Sequence, residues 1–176
     1  MKIQDTLISD VKIIQPYVFD DNRGFFLETF QKKRYQQALN INYDFVQDNH
    51  SRSARGVLRG MHFQKKNPQG KLVRVVHGEI YDVVVDIRKN SATYGKWIGV
   101  SLSENNKFQL WVPPGLAHGF LALSDIADVE YKCTSEYEAK DQNSLLWNDP
   151  EVGIIWQTDT PLLSEKDQQG VLLKNI

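Results

Sequence analysis

The stretch Ile80-Tyr81-Asp82-Val83-Val84-Val85-Asp86-Ile87 places Tyr81, Val83, Val85 and Ile87 on one face of an extended chain, with Asp82 and Asp86 on the other. Side chains alternate across a strand, so an apolar period of two reads as β structure rather than helix. Segments of similar length lie around it, at 72–76, 97–102, 108–112, 119–123 and 129–133. Turn-like stretches separate them: Asn67-Pro68-Gln69-Gly70, Lys89-Asn90-Ser91, Ser103-Glu104-Asn105-Asn106 and Pro113-Pro114-Gly115. Many short strands at this spacing predict an all-β sandwich or barrel. Helix is expected only at 32–39 and, briefly, at 164–169, where Ser164 followed by Asp167 reads as an N-cap with an acid three residues on.

The 176 residues suit one domain, taken as residues 1–176, with 41% hydrophobic and 24% charged residues, as in a globular protein. Lys and Arg total 21 against 22 Asp and Glu, so no basic excess points to nucleic acid or an anionic membrane. One cysteine, Cys133, excludes an intrachain disulfide and a cysteine-built zinc site. Asp5 and Asp10 interrupt any signal-like apolar run, and nothing approaches the ~18 apolar residues of a membrane span. A cytoplasmic location is the expectation.

Four histidines are candidates for chemistry: His50, His62, His77 and His118. His62 lies in Leu58-Arg59-Gly60-Met61-His62-Phe63-Gln64, which reads as a strand. Strict alternation puts Arg59 and His62 on opposite faces, whereas a bulge at Gly60 brings them together. Function and structure are both open for this histidine. Tyr131 is in phase with Val129 and Cys133 and should face inward, as a packed tyrosine or as a proton donor. Lys71 alternates with Val73 and Val75: if that face is inward its ammonium needs an anion to meet, whereas taken alone it reads more readily as a strand-end lysine reaching solvent. Arg23 follows Asp20-Asp21-Asn22 in a hairpin turn and carries a guanidinium suited to phosphate. Gln47-Asp48-Asn49-His50 is either loop polarity or a hydrogen-bonding strip for a polar ligand.

Pro113-Pro114-Gly115-Leu116-Ala117-His118 is similar to the second half of the signature of metal-binding jelly-roll barrels. The first half needs a His-x-His pair with a Glu a few residues on, and the chain offers His62-Phe63-Gln64; a transition metal wants three or four ligands, so metal binding is the weaker reading. Gly-rich phosphate loops, serine nucleophile elbows and reactive Cys/His pairs are missing as well. What remains suits proton transfer and anion binding.

Several blocks together resemble one family. They are Asp21-Asn22-Arg23-Gly24-Phe25-Phe26, Phe45-Val46-Gln47-Asp48-Asn49-His50-Ser51, the 57–64 strand, Gly70-Lys71-Leu72-Val73-Arg74, the 78–88 strand, Pro114-Gly115-Leu116-Ala117-His118-Gly119-Phe120 and Leu163-Ser164-Glu165-Lys166-Asp167. In this order they resemble the dTDP-4-dehydrorhamnose 3,5-epimerases over nearly the whole chain. The resemblance implies a cupin-type jelly-roll barrel with a few short peripheral helices, working as a homodimer without metal or organic cofactor. It implies inversion of dTDP-4-dehydro-6-deoxy-D-glucose at C3 and C5, giving dTDP-4-dehydro-L-rhamnose. By motif, His62 is then the base, Asp167 its orienting partner, Tyr131 the acid on the opposite face, and Lys71 the group that stabilises the enolate. Arg59 and His118 fall to the diphosphate. Arg23, Phe26 and Glu28 hold the nucleotide across the dimer, with Gln47, Asn49, Tyr137 and Lys166 as further contacts.

The resemblance has one departure: Gln142 stands where members often carry an acid, and it is left out of the expected site. Rival readings are a 3- or 5-mono-epimerase or ketoisomerase for another deoxysugar, a metal-dependent cupin oxygenase, and a non-catalytic sugar-nucleotide-binding module.

Overall fold

In the strand β8 (Glu79–Asp86), both faces are buried. Val83 and Val85 pack outward with Leu58, Met61 and Trp156, while Ile80 and Val84 pack inward with Val73, Leu110 and Val129. Asp82 and Asp86 share that second face and have no exposed surface. The alternation that marks the strand therefore separates two interiors, not an interior from water.

The computed structural model describes residues 1–176. Two antiparallel sheets face one another. One runs β1 (Lys2–Asp5), β2 (Lys12–Gln15), β10 (Gln109–Val112), β7 (Lys71–His77), β12 (Ile126–Cys133), β5 (Gln47–Ala54). The other runs β13 (Gln142–Ser144), β6 (Leu58–Gln64), β11 (Leu116–Ala122), β8, β9 (Trp97–Ser103). A separate hairpin joins β3 (Val18–Asp21) to β4 (Gly24–Leu27). This is the all-β, two-walled arrangement that the strand spacing predicts.

Three apolar clusters hold it. One fills the space between the sheets. A second covers the outer face of the smaller sheet with Leu145, Val152, Trp156 and Leu173 from the C-terminal segment. The third seats helix α1 (Lys32–Leu39) on the larger sheet through Tyr35 and Leu39, against Ile14, Leu72 and Trp111. Each fully buried Val, Ile or Leu contributes ~1.5–3 kcal/mol.

Both expected helices form. Gln31 caps α1 by accepting from the Arg34 amide, and Asn40 ends it in the left-handed region at φ 53°. Ser164 caps α2 (Glu165–Gln168) by accepting from the Asp167 amide. The strand β11 begins earlier than its sequence suggests, so His118 sits within a strand and not at its approach. No helix is long and apolar enough to cross a membrane.

The β6–β11 pair carries the irregularity that shapes the interior. His118 pairs with His62 and Phe120 with Arg59, so two residues on β11 span three on β6. The extra residue is a bulge at Gly60, whose φ is +133°. Side chains would not fit there: a Cβ on Gly60 would lie 2.6 Å from the Gly119 Cα, and one on Gly119 2.6 Å from the Arg59 carbonyl oxygen. As a result Leu58 and Met61 share the outer cluster, and Arg59 and His62 both turn inward.

Candidate active site

The bulge opens a cavity of about 350 Å³ between the sheets. Its walls come from both: His62, Arg59 and His118 from the smaller sheet, Lys71, Tyr131 and Asn49 from the larger.

Two imidazoles stand side by side across the β6–β11 pair, each backed by its own carboxylate. The Nε2 of His62 lies 2.6 Å from Oδ1 of Asp167, brought in by α2. Burial pushes the Asp167 carboxyl up, but the bond and charge of His62 and the Ser164 hydroxyl outweigh it and hold the group below its ordinary value. Asp167 thereby fixes the imidazole and leaves Nδ1 free. His118 presents Nε2 to Asp82, 2.8 and 3.0 Å from its two oxygens. Asp82 was legible in the sequence only as a face partner of Asp86; its inward phase with Ile80 and Val84 was the available signal.

Lys71 is buried and makes neither a hydrogen bond nor an ion pair, which overturns the solvent-reaching reading. Burial pushes its ammonium down, while Cys133 and Asp82 pull the other way. A buried ammonium with no hydrogen-bonded counter-ion is a group that an anion entering the cavity can pair with. Tyr131 also points its phenol into the cavity without a partner; burial, and then Cys133, raise its pKa. The phenol therefore stays protonated at neutral pH.

The guanidinium of Arg59 is anchored by Nε to the Ser53 hydroxyl (2.9 Å) and by Nη2 to the Arg52 carbonyl (3.1 Å), leaving Nη1 uncommitted. Along β5, Gln47 donates to Asn49 and accepts from the Tyr137 amide. At the mouth, Gln142 Oε1 accepts from the Tyr137 hydroxyl at 2.5 Å and from Lys166 Nζ at 2.9 Å. Gln142 thus belongs to the cavity lining from which the sequence reading left it out. No three His, Cys, Asp or Glu side chains are grouped so as to hold a metal ion.

Lys166 stands outside the lining, at its edge, and three expected contacts lie farther off. Arg23 is exposed at the tip of the β3–β4 hairpin, paired with Asp21; Phe26 is 70% exposed beside it; Glu28 pairs with Arg34. None of them lines the cavity of its own chain.

A family model described as dTDP-4-dehydrorhamnose 3,5-epimerase matches residues 5–175. A dTDP-4-dehydrorhamnose 3,5-epimerase of Neisseria gonorrhoeae is 53% identical over 97% of the chain, which spans 52% of that protein's length. The Shigella flexneri enzyme of the same name is 52% identical, with 97% of this chain and 94% of that protein covered. The crystal structure of dTDP-6-deoxy-D-glucose-3,5-epimerase from Legionella pneumophila, in complex with dTDP-4-keto-L-rhamnose, superposes with a TM-score of 0.97 at 50% identity, covering 99% of this chain and 94% of that one. The expected cupin-type jelly roll is thereby the observed fold.

Proposed function

The chain belongs to the dTDP-4-dehydrorhamnose 3,5-epimerase family and has its activity in dTDP-L-rhamnose biosynthesis; we propose that His62, Asp167, Lys71 and Tyr131 carry the reaction. The observation that supports this is the placement of base and acid on opposite walls. His62 stands on β6 of one sheet and Tyr131 on β12 of the other. Inversion at carbon requires a proton to leave one face of the sugar and return to the other.

The substrate is dTDP-4-dehydro-6-deoxy-D-glucose, whose C4 ketone acidifies the hydrogens on C3 and C5. Nδ1 of His62 accepts a proton from the carbon beside the ketone, and Asp167 stabilises the imidazolium that forms. The C–H electron pair moves to the ketone oxygen, giving an enolate beside the Lys71 ammonium. The carbanion carbon then takes a proton from the Tyr131 hydroxyl on the far face. Repetition at the second carbon gives dTDP-4-dehydro-L-rhamnose. General acid–base help is worth ~10²–10⁴ per group, and an oxyanion donor ~10²–10³.

Arg59 and His118 hold the diphosphate, Gln47, Asn49 and Tyr137 make further contacts from the cavity wall, and Lys166 makes one from beside the mouth, where it bonds to Gln142. Residues 1–176 act as one epimerase domain. Arg23, Phe26 and Glu28 serve the cavity of a second copy. The hairpin that carries the first two exposes Phe19, Phe25 and Phe26, and β5, which lines the cavity, is an unpaired sheet edge. The compartment is the cytoplasm, with which a buried, unpaired thiol is compatible.

The test is proton NMR of the substrate in D₂O, with His62→Asn as the control. Deuterium at both C3 and C5 with wild type and at neither with the variant supports the reading. Exchange at one carbon makes the protein a mono-epimerase, and undiminished exchange by the variant removes His62 as base. A monomer in sedimentation or light scattering would remove the cross-chain contacts.

A further inference from the structure

Two side-chain oxygens in the protein are buried without any hydrogen-bond partner: the hydroxyls of Ser51 and Ser144. Of these two, Ser51 lines the catalytic cavity. A buried hydroxyl left unpaired destabilises a fold, and the rest of its strand shows how such groups are ordinarily satisfied. Gln47 and Asn49, on the same face of β5, bond to one another, and Ser53, two residues further on, accepts from Arg59.

The position of Ser51 is defined by its neighbours. Its cross-strand partner is Val129, while Tyr131 pairs with Asn49, so Ser51 is diagonal to the proposed acid. On its other side stands the Ser53-anchored guanidinium of Arg59, with Nη1 free. Ser51 therefore occupies the wall between the group assigned to the diphosphate and the group assigned to the sugar carbon. The atoms of a sugar nucleotide that fall at that junction are the oxygens of the phosphate bonded to the sugar.

We propose that the Ser51 hydroxyl is a further substrate-binding group, donating to the sugar-linked phosphate of the nucleotide alongside Arg59. This rests on the placement of the diphosphate at Arg59 given above. A serine hydroxyl turns about a single bond, so it reaches a ligand oxygen without movement of the strand. The protein itself offers this donor no acceptor, and the bound nucleotide supplies one.

The test uses Ser51→Ala with two probes, dTDP, which has the second phosphate, and dTMP, which lacks it. The expected result is a loss of dTDP affinity of about tenfold or more, as for a hydrogen bond to a charged group. Affinity for dTMP stays within about twofold, and the melting temperature of the free variant is equal to or above that of wild type, because an unsatisfied hydroxyl has gone. Equal weakening of both probes, unchanged dTDP affinity, or a lowered melting temperature each overturns the assignment. Arg59→Ala, measured alongside, separates two failures. If it too leaves dTDP affinity unchanged, the diphosphate lies elsewhere; if it weakens dTDP while Ser51→Ala does not, the diphosphate placement stands and Ser51 alone is wrong.

Discussion

His62 and Asp167 meet at 2.6 Å although 105 residues separate them in the chain. The carboxylate is held in place from its other side by Ser164, whose hydroxyl lies 2.8 Å from Oδ2. Asp167→Asn preserves shape and removes the acceptor charge, so the imidazole loses the group that stabilises its protonated form. The rate of deuterium incorporation at C3 and C5 should fall ~10²–10⁴-fold, with dTDP affinity unchanged by titration calorimetry. A variant that exchanges at the wild-type rate would remove Asp167 from the base.

Tyr131→Phe separates the two halves of the reaction. Abstraction by His62 needs no phenol, so solvent deuterium should still enter the substrate. Protonation on the far face should fail, and NMR should show labelled starting sugar in place of the L-rhamno product. Normal product yield would exclude Tyr131 as acid.

Burial lowers the pKa of the Lys71 ammonium, and only its protonated form stabilises an enolate. Turnover should therefore fall on the alkaline side below the ordinary lysine range, as the charge is lost. Lys71→Met should lower kcat ~10²–10³-fold and abolish that alkaline limb. Persistence of the limb in the variant would assign it to another group.

The glycine pair that shapes the interior gives a structural test. A methyl at Gly119 would meet the Arg59 carbonyl at 2.6 Å and the Met61 sulfur at 2.8 Å. Gly119→Ala should destabilise the fold by ~1–3 kcal/mol, as overpacking does, and reduce activity through displacement of Arg59 and His62 together. Denaturant unfolding and kcat measured on one preparation check this; full activity at full stability would show that the bulge tolerates the methyl.

Asp86 governs acid stability. Burial pushes its carboxyl up, but hydrogen bonds from Arg88, Ser91 and Thr93 outweigh it and hold the group far below its ordinary value. With a depressed folded-state pKa, the stabilisation is full above the unfolded value near 3.9 and is lost as pH falls toward the folded one. Asp86→Asn should cost ~1–3 kcal/mol at neutral pH, as for lost hydrogen bonds to a charged group, because Arg88 is partly exposed and keeps its pairing with Asp10. Its stability, from urea unfolding, should fall less steeply than wild type below about pH 4.

Residues that obey a simple period were readable from the sequence. The alternation around Val83 located β8, the Ser164–Asp167 spacing located α2, and Gly60 marked the bulge that turns Arg59 and His62 to one side. The strand β5 was not readable, because Gln47-Asp48-Asn49-His50-Ser51-Arg52-Ser53 is polar on both faces. One face meets solvent and the other a polar cavity, so no apolar alternation arises. Lys71 escaped for a related reason: a lysine at a strand end ordinarily reaches water, and only the second sheet encloses this one. Gln142, which lines the cavity, and Asp82, which backs His118 from behind it, are tied to the site by long-range partners, Lys166 and His118, that no local pattern links to them.

The span between His62 and Asp167 also sets when the catalyst comes into existence. Contacts so distant in sequence close large loops, and topologies dominated by them fold slowly. A chain emerging residue by residue has the proposed base, lysine and acid before α2 supplies the carboxylate. Refolding followed by strand formation should run ahead of refolding followed by turnover, with proton-transfer competence the last property to mature.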